Sequence, residues 1–375
     1  MKVMVVMGTR PEVIKLAPVI AALRGKIETI ICATGQHREM LQQALDVFSI
    51  KPDIYLDTMS PGQSLNILAS RLLADLDHVV EKEKPDWVIV QGDTTTALYA
   101  GIAAFHRGIK VAHVEAGLRT GNLKSPFPEE ANRSMLARIA SLHLAPTRSA
   151  KLALVAEGVS ADLIIVTGNT VVDAIQMAKQ SWVNGAPQNL SPAIKKIISE
   201  KPLILLTCHR RENFGEALES ICEMVKRLCA RYPNFQWVFP VHLNPNVRYP
   251  VNRILANISN LHLIEPVDYQ TSLYLISRSS LVVSDSGGIQ EEAPSFGVPV
   301  VVMRTHTERK EGVDAGFATL AGQNSISIEV AVSNWLDDSK KMLSIKNKAN
   351  PYGDGMASQR LCSCLLGKVV GEFNG

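Results

Sequence analysis

Ser284-Asp285-Ser286-Gly287-Gly288-Ile289-Gln290-Glu291-Glu292 follows the apolar run Leu281-Val282-Val283, and Ile289, Ala293 and Phe296 recur after it at helical spacing. The stretch therefore reads as a strand, a tight turn and a helix. The first N–H groups of a helix have no partner within it and carry partial positive charge. Two glycines let a bulky anion approach the backbone with no Cβ in the way, so the turn suits phosphate. Ser286 adds a hydroxyl donor, and Glu292, one turn into the helix, a carboxylate for a sugar or ribose hydroxyl. An ordinary strand-to-helix turn is the plain alternative.

Other charged groups follow other apolar runs. Arg10 and Lys15 come after the first run, Asp93 and Glu115 end two more, and Glu129-Glu130 are expected in a loop rich in proline, Ser125-Pro126-Phe127-Pro128. His209-Arg210-Arg211 and the stretch holding Arg304 and Arg309 take equivalent places in the second half. The cations and the glycine turn suit a diphosphate; the carboxylates suit proton transfer or hydroxyl binding. Each has a bland reading. An Asp after a strand caps a helix, and a lone lysine such as Lys15 is a solvated surface residue. Arg119 and Arg133 could pair with Glu115 and Glu129. His113 and His262 fall inside strand patterns and read as core histidines, and Cys208 as a small buried filler. Co-location argues for function, because ligands of open parallel sheets sit beyond the carboxyl ends of the strands.

The elements that must position these groups alternate along the chain. All-apolar Val3–Met7 is the pattern of a parallel strand covered on both faces. Thr9 and Glu12 stand at capping-box spacing with Pro11 in a first turn, and Pro18 predicts a kinked or late-starting helix. Further strands are expected at 29–33, 86–90, 110–114, 142–145 and 163–166, then at 203–207, 236–240, 281–284 and 298–303. Helical patterns lie between them, so the class is α/β, with two doubly wound domains facing a cleft. At ~150 residues per domain, 375 residues suit two domains. The boundary is placed at 175/176, where a stretch with Asn184-Gly185 and three prolines begins; the last twenty or so residues, 356–375, read as a helix returning to the first domain.

Net charge is +3 with no basic block, so nucleic acid is not implied. No Gly-x-Gly-x-x-Gly follows the first strand and no Walker loop is present, so neither NAD nor ATP hydrolysis is expected. The six cysteines have no metal-ligand spacing, and scattered thiols suit a reducing compartment. The N-terminus enters a strand directly and no apolar run nears ~20 residues, which predicts a cytoplasmic protein without membrane insertion.

The same stretches resemble the bacterial non-hydrolysing UDP-N-acetylglucosamine 2-epimerases over almost the whole chain. The likeness runs through Gly8-Thr9-Arg10-Pro11-Glu12, Gln36-His37-Arg38-Glu39-Met40, Gly92-Asp93-Thr94-Thr95-Thr96 and His113 to Gly121. It continues through Pro128 to Arg133, Thr167-Gly168-Asn169-Thr170, His209-Arg210-Arg211-Glu212, Pro240 to Pro245, the Ser284 stretch and Asn350 to Gly355. The resemblance implies a GT-B-like fold, a cytoplasmic homodimer without a cofactor or metal, and interconversion of UDP-N-acetylglucosamine and UDP-N-acetylmannosamine. It assigns UDP contacts to Arg10, Ser286, Gly287, Gly288, Glu292 and Arg309. Asp93, Glu115, Glu129 and His209 match the catalytic group, and Gln43, Arg71 and His242 match positions of an activator site. His306-Thr307-Glu308-Arg309-Lys310 departs from the family's usual Thr-Thr-Glu-Arg-Pro, and Val267, Ser272 and Gln42 are further departures.

Overall fold

A computed structural model describes residues 1–35, 38–60, 62–210 and 213–375. Gln36, His37, Arg211 and Glu212, which belong to sequence motifs above, lie outside the described residues. The chain divides into two units, Met1–Ala178 with Tyr352–Gly375, and Lys179–Pro351.

The first unit is built on β1 (Lys2–Met7), β2 (Glu28–Ala33), β3 (Ile54–Tyr55), β4 (Trp87–Gln91), β5 (Lys110–Val114), β6 (Leu142–Ala145) and β7 (Ile164–Val166). They form one parallel sheet in the order β3-β2-β1-β4-β5-β6-β7. Helices cover both faces, which is why Val3 to Met7 are fully buried and the strands carry no polar alternation. The helix Leu65–Glu83 shows how sequence sets the covering layer. Ser64 accepts a hydrogen bond from Ile67 N at its start, Leu68, Leu72, Leu76, Val79 and Val80 face the sheet, and Lys84 ends it in the left-handed region. The first helix begins at Arg10 and runs to Leu23 with Pro18 inside it, so it does not start late.

The second unit carries β8 (Leu203–Thr207), β9 (Gln236–Pro240), β10 (Leu261–Ile264), β11 (Ser279–Ser284), β12 (Val300–Val302) and β13 (Ala318–Leu320). Its parallel order is β10-β9-β8-β11-β12-β13. Trp237, Phe239, Phe317 and Trp335 fill its largest core cluster.

The C-terminal helix is shorter than the sequence suggested. It spans Ala357–Leu365, and the chain beyond Gly367 has no regular structure. Asp173 on the helix Thr170–Gln180 caps it, accepting from Ser358 N at 2.9 Å and Ala357 N at 3.3 Å. The tail continues along the sheet edge, where Phe373 N donates to Val166 O at 2.8 Å.

Candidate active site

Strand order reverses direction between β1 and β4 in the first unit and between β8 and β11 in the second. Turns leaving such neighbours diverge and open a crevice beyond the strand ends. In each unit a buried carboxylate ties the two diverging turns together. In the first it is Glu12, which is fully buried. Its Oε2 accepts from Gly8 N at 3.0 Å and Thr9 Oγ1 at 2.7 Å, and its Oε1 accepts from Thr94 Oγ1 at 2.8 Å. The expected capping box is thus redrawn. Thr9 makes no side-chain cap, and its hydroxyl donates to the glutamate instead. Burial pushes the Glu12 carboxyl up to about 7 against the pull of its donors.

Thr94, not Asp93, caps the helix Thr95–His106, accepting from Ala97 N at 3.0 Å. Asp93 is left for other work. Arg133 pairs with its carboxylate, and Asn132 Nδ2 donates to its backbone oxygen at 2.9 Å. Both partners lie on the helix Glu129–Ile139, whose first residue is the expected catalytic Glu129. The turn before Asp93 is pinned from the next strand. His113 Nε2 lies 2.7 Å from Gly92 O, and since a carbonyl only accepts, the proton sits on Nε2. Burial holds His113 down at about 3, so the ring stays neutral. His113 is the core histidine expected, but it braces the site; His262 is only half-buried and lies 2.7 Å from Gln236 Oε1.

Glu115 follows β5 with φ of +64°. A non-glycine residue in that region costs on the order of 1–3 kcal/mol and persists where its surroundings enforce it. Here Lys15 and Asn169 do so. The ammonium of Lys15 sits on Glu115 Oε2, with both side chains less than a tenth exposed, and Asn169 Nδ2 donates to the same oxygen at 3.1 Å. Lys15 is therefore buried and not the solvated residue of the bland reading. Arg119 and Arg133 also differ from expectation. Arg119 pairs with Glu157 at 2.7 Å, and Arg133 with Asp93 and Glu130. Arg10, half-buried, opens the first helix next to these groups in sequence.

In the second unit the tying carboxylate is Asp285, wholly buried after β11. Its Oδ2 accepts from the backbone N–H of His209 and Arg210 and from Asn213 Nδ2, each at 2.9 Å. His209 Nδ1 lies 3.0 Å from Oδ1. Burial alone would raise this carboxyl, but His209 and the two backbone donors outweigh it and bring it down to about 2. The His209 ring is 43% exposed and stacks at 6.3 Å on His242, whose imidazole is held below its ordinary value by burial and by His209.

The Ser286 turn opens the short helix Gly287–Glu292. Ser284 Oγ accepts from Ser286 N at 2.9 Å and lies 2.6 Å from Thr207 Oγ1. Gly287 has a second reason to be glycine. A Cβ there would stand 2.8 Å from Arg309 Cζ, so the missing side chain is where the guanidinium rests. Arg309 is held by Glu291 at 2.8 Å and by Glu308. Gly288 and Glu292 lie on the same turn and helix, with Glu292 Oε1 3.8 Å from where a Gly288 Cβ would be. Gln43 and Arg71, the expected activator residues of the first unit, are exposed on separate helices; Arg71 donates to Ser60 Oγ at 2.5 Å and Gln63 Oε1 at 3.1 Å. Among the described residues no cluster of His, Cys, Asp and Glu has the arrangement of a metal site.

Two parallel sheets wrapped by helices, with polar clusters at both strand-order reversals, define a two-domain α/β protein of the GT-B-like kind. The family model described as UDP-N-acetylglucosamine 2-epimerase matches residues 21–366. The chain is 48% identical over 374 residues to the UDP-N-acetylglucosamine 2-epimerase of Yersinia pestis, covering 99% of this chain and 100% of that one. A crystal structure of the Neisseria meningitidis UDP-GlcNAc 2-epimerase bound to UDP-GlcNAc superposes with a TM-score of 0.91 at 44% identity, covering 98% of this chain and 100% of that one. A Staphylococcus aureus co-structure with UDP gives 0.91 at 40% identity, covering 100% and 99%. The chain belongs to the UDP-N-acetylglucosamine 2-epimerase family, and is an epimerase.

Spacing alone presents Glu12 as a helix cap and marks neither Asp285 nor Asn169. Their only signal was membership of the motifs themselves, since each acts on a residue far away in the chain.

Proposed function

We propose that the protein reversibly converts UDP-N-acetylglucosamine to UDP-N-acetylmannosamine by eliminating and re-adding UDP. Carbon 2 of the sugar is not next to a carbonyl, so its proton is not acidic. General-base help contributes ~10²–10⁴ in rate, too little to remove such a proton directly. The bond from carbon 1 to the diphosphate oxygen therefore breaks first, its electron pair leaving with UDP. The oxocarbenium-like carbon 1 that remains acidifies the proton on carbon 2. A carboxylate among Asp93, Glu115 and Glu129 takes that proton, and the electrons left form the double bond of a glycal. A proton returned to the opposite face of carbon 2 and attack of UDP on carbon 1 complete the inversion.

Arg10, Lys15, His209, Arg309 and the Ser286-Gly287-Gly288 turn balance the charge on the departing diphosphate, the larger electrostatic contribution. Glu292 takes a hydroxyl of the nucleotide. No redox cofactor is required by this sequence of steps. Gln43, Arg71 and His242 are assigned to a second nucleotide sugar acting as activator.

The observation that carries the reading is Glu115: a buried carboxylate in a strained backbone, clamped on one oxygen, one strand away from Asp93. Incubation with UDP-N-acetylglucosamine in D₂O places deuterium at carbon 2 of both epimers. Unlabelled sugar after prolonged incubation refutes the scheme, and free UDP accumulating in step with turnover marks a hydrolysing enzyme instead. The six free cysteines, five of them buried, suit a reducing cytoplasm. The homodimer expected from the resemblance is tested by sedimentation equilibrium.

A further inference from the structure

We propose that Asn169 is a positioning residue for Glu115, held in place by the backbone of the returning C-terminal segment, so that Glu115 presents Oε1 to the sugar. The inference rests on the catalytic role of Glu115 given above.

The orientation of the Asn169 amide is fixed by its neighbours. Its Oδ1 accepts from Val171 N at 3.0 Å, at the start of the helix Thr170–Gln180. Only the oxygen of an amide accepts, so the NH₂ group must point the other way, and there it meets Glu115 Oε2 at 3.1 Å. Lys15 donates to that same oxygen. Two donors thus converge on Oε2, while Oε1 takes no hydrogen bond among the described residues. A carboxylate in a left-handed backbone has no intrinsic reason to face one way. The paired donors choose its rotamer and leave one oxygen for proton transfer.

Asn169 is itself immobilised. It is 3% exposed, and its backbone N–H donates to Tyr352 O at 2.7 Å. Gly353 makes that approach possible, because a Cβ there would come within 3.3 Å of both N and O of Asn169. Gly168, with φ of +85°, packs against the same segment, 3.3 Å from Gly353 Cα at its own Cβ position. The motif Thr167-Gly168-Asn169 and the motif Tyr352-Gly353 therefore form one device: the second fixes the first, and the first aims Glu115. Neither needs to touch substrate for this.

Asn169→Asp is the sharpest test. It is isosteric, and its carboxylate still caps Val171 N, so a purely structural role survives. The donor facing Glu115 becomes an anion. A hydrogen bond to a charged group is worth ~1.5–3 kcal/mol, or roughly 10–150-fold in rate. The expected result is a fall in kcat of at least about tenfold, with KM and UDP affinity by calorimetry within about threefold of wild type. Asn169→Ser keeps a hydroxyl to cap the helix, introduces no charge and loses the amide donor; it guards against misfolding of the Asp variant and should show the same split with a smaller loss. Wild-type kcat in both variants overturns the inference, as does a loss confined to UDP affinity. Deuterium exchange at carbon 2 by the wild-type enzyme is measured alongside. Exchange in wild type with undiminished exchange in the variants removes the inference alone, whereas no exchange in wild type removes the catalytic reading and the inference with it.

Discussion

Glu12→Gln isolates the buried carboxylate at the reversal between β1 and β4. Glutamine keeps the size of the side chain and an acceptor oxygen for Gly8 N and Thr9 Oγ1, and the Thr94 hydroxyl can turn to accept from its NH₂. What is lost is the ability to ionise. Burial raises the folded-state value of Glu12 from the ordinary 4.5 to about 7. At 1.36 kcal/mol per tenfold change in proton affinity this is about 3 kcal/mol. The sign follows from which state ionises first. Below pH 4.5 the group is protonated whether the chain is folded or not, and it imposes no penalty. Between 4.5 and about 7 the unfolded chain ionises while the folded one resists, so the wild-type protein loses stability as pH rises and levels off above pH 7. The variant has no such slope at this position. Urea unfolding followed by circular dichroism at intervals from pH 4.5 to 8 gives the stability of each protein. Subtraction removes every titration they share. The variant should gain about 3 kcal/mol relative to wild type across that interval. A difference that is flat with pH, or that favours wild type at the alkaline end, refutes the reasoning.

Three further outcomes are expected. Asp93→Asn and Glu129→Gln should lower turnover far more than UDP affinity, since the proposed function has these groups act on the sugar; calorimetry showing mainly weakened UDP binding reverses the assignment. Gly287→Ala places a methyl 2.8 Å from Arg309 Cζ and displaces the guanidinium, so UDP affinity should fall about tenfold, the loss of one hydrogen bond to a charged group, read by the same titration. Asp173→Ala removes the cap of the helix Ala357–Leu365 and should cost about 1 kcal/mol, with faster amide exchange confined to that helix and to the tail; unchanged exchange there contradicts the capping role.

Most of the sheet was legible because its strands are buried on both faces and read as mainly apolar runs: Val3–Met7 and the Leu203–Leu206 run need no partner to be seen, and Lys110–Val114 shows through despite His113. β3 and β13 escaped notice, being two and three residues long at sheet edges, with Tyr55 and Thr319 breaking the pattern. The C-terminal helix is shorter than its sequence pattern because helical spacing persists past Leu365, while the chain is led off along β7 by the Phe373–Val166 contact. Placement of polar groups at strand ends was equally readable, since that is where α/β sheets put them. Their partners were not. Arg119 and Arg133 found Glu157 and Asp93 rather than Glu115 and Glu129, and spacing holds no record of which way a guanidinium turns. Glu12 looked like a cap because its true partner, Thr94, is brought beside it only when β1 and β4 pair. Asp285 and Asn169 likewise bond to residues far away in the chain, beyond what local spacing records.

The return of Tyr352 to the first unit sets an order of events during synthesis. The ribosome finishes the residues through Ala178, then makes the whole of the second unit before the strap that fixes Asn169 emerges. At ~5–20 residues per second that delay is on the order of ten seconds. A nascent first unit can assemble its sheet in that time, but the proposed aiming of Glu115 waits on a segment made only after the whole second unit.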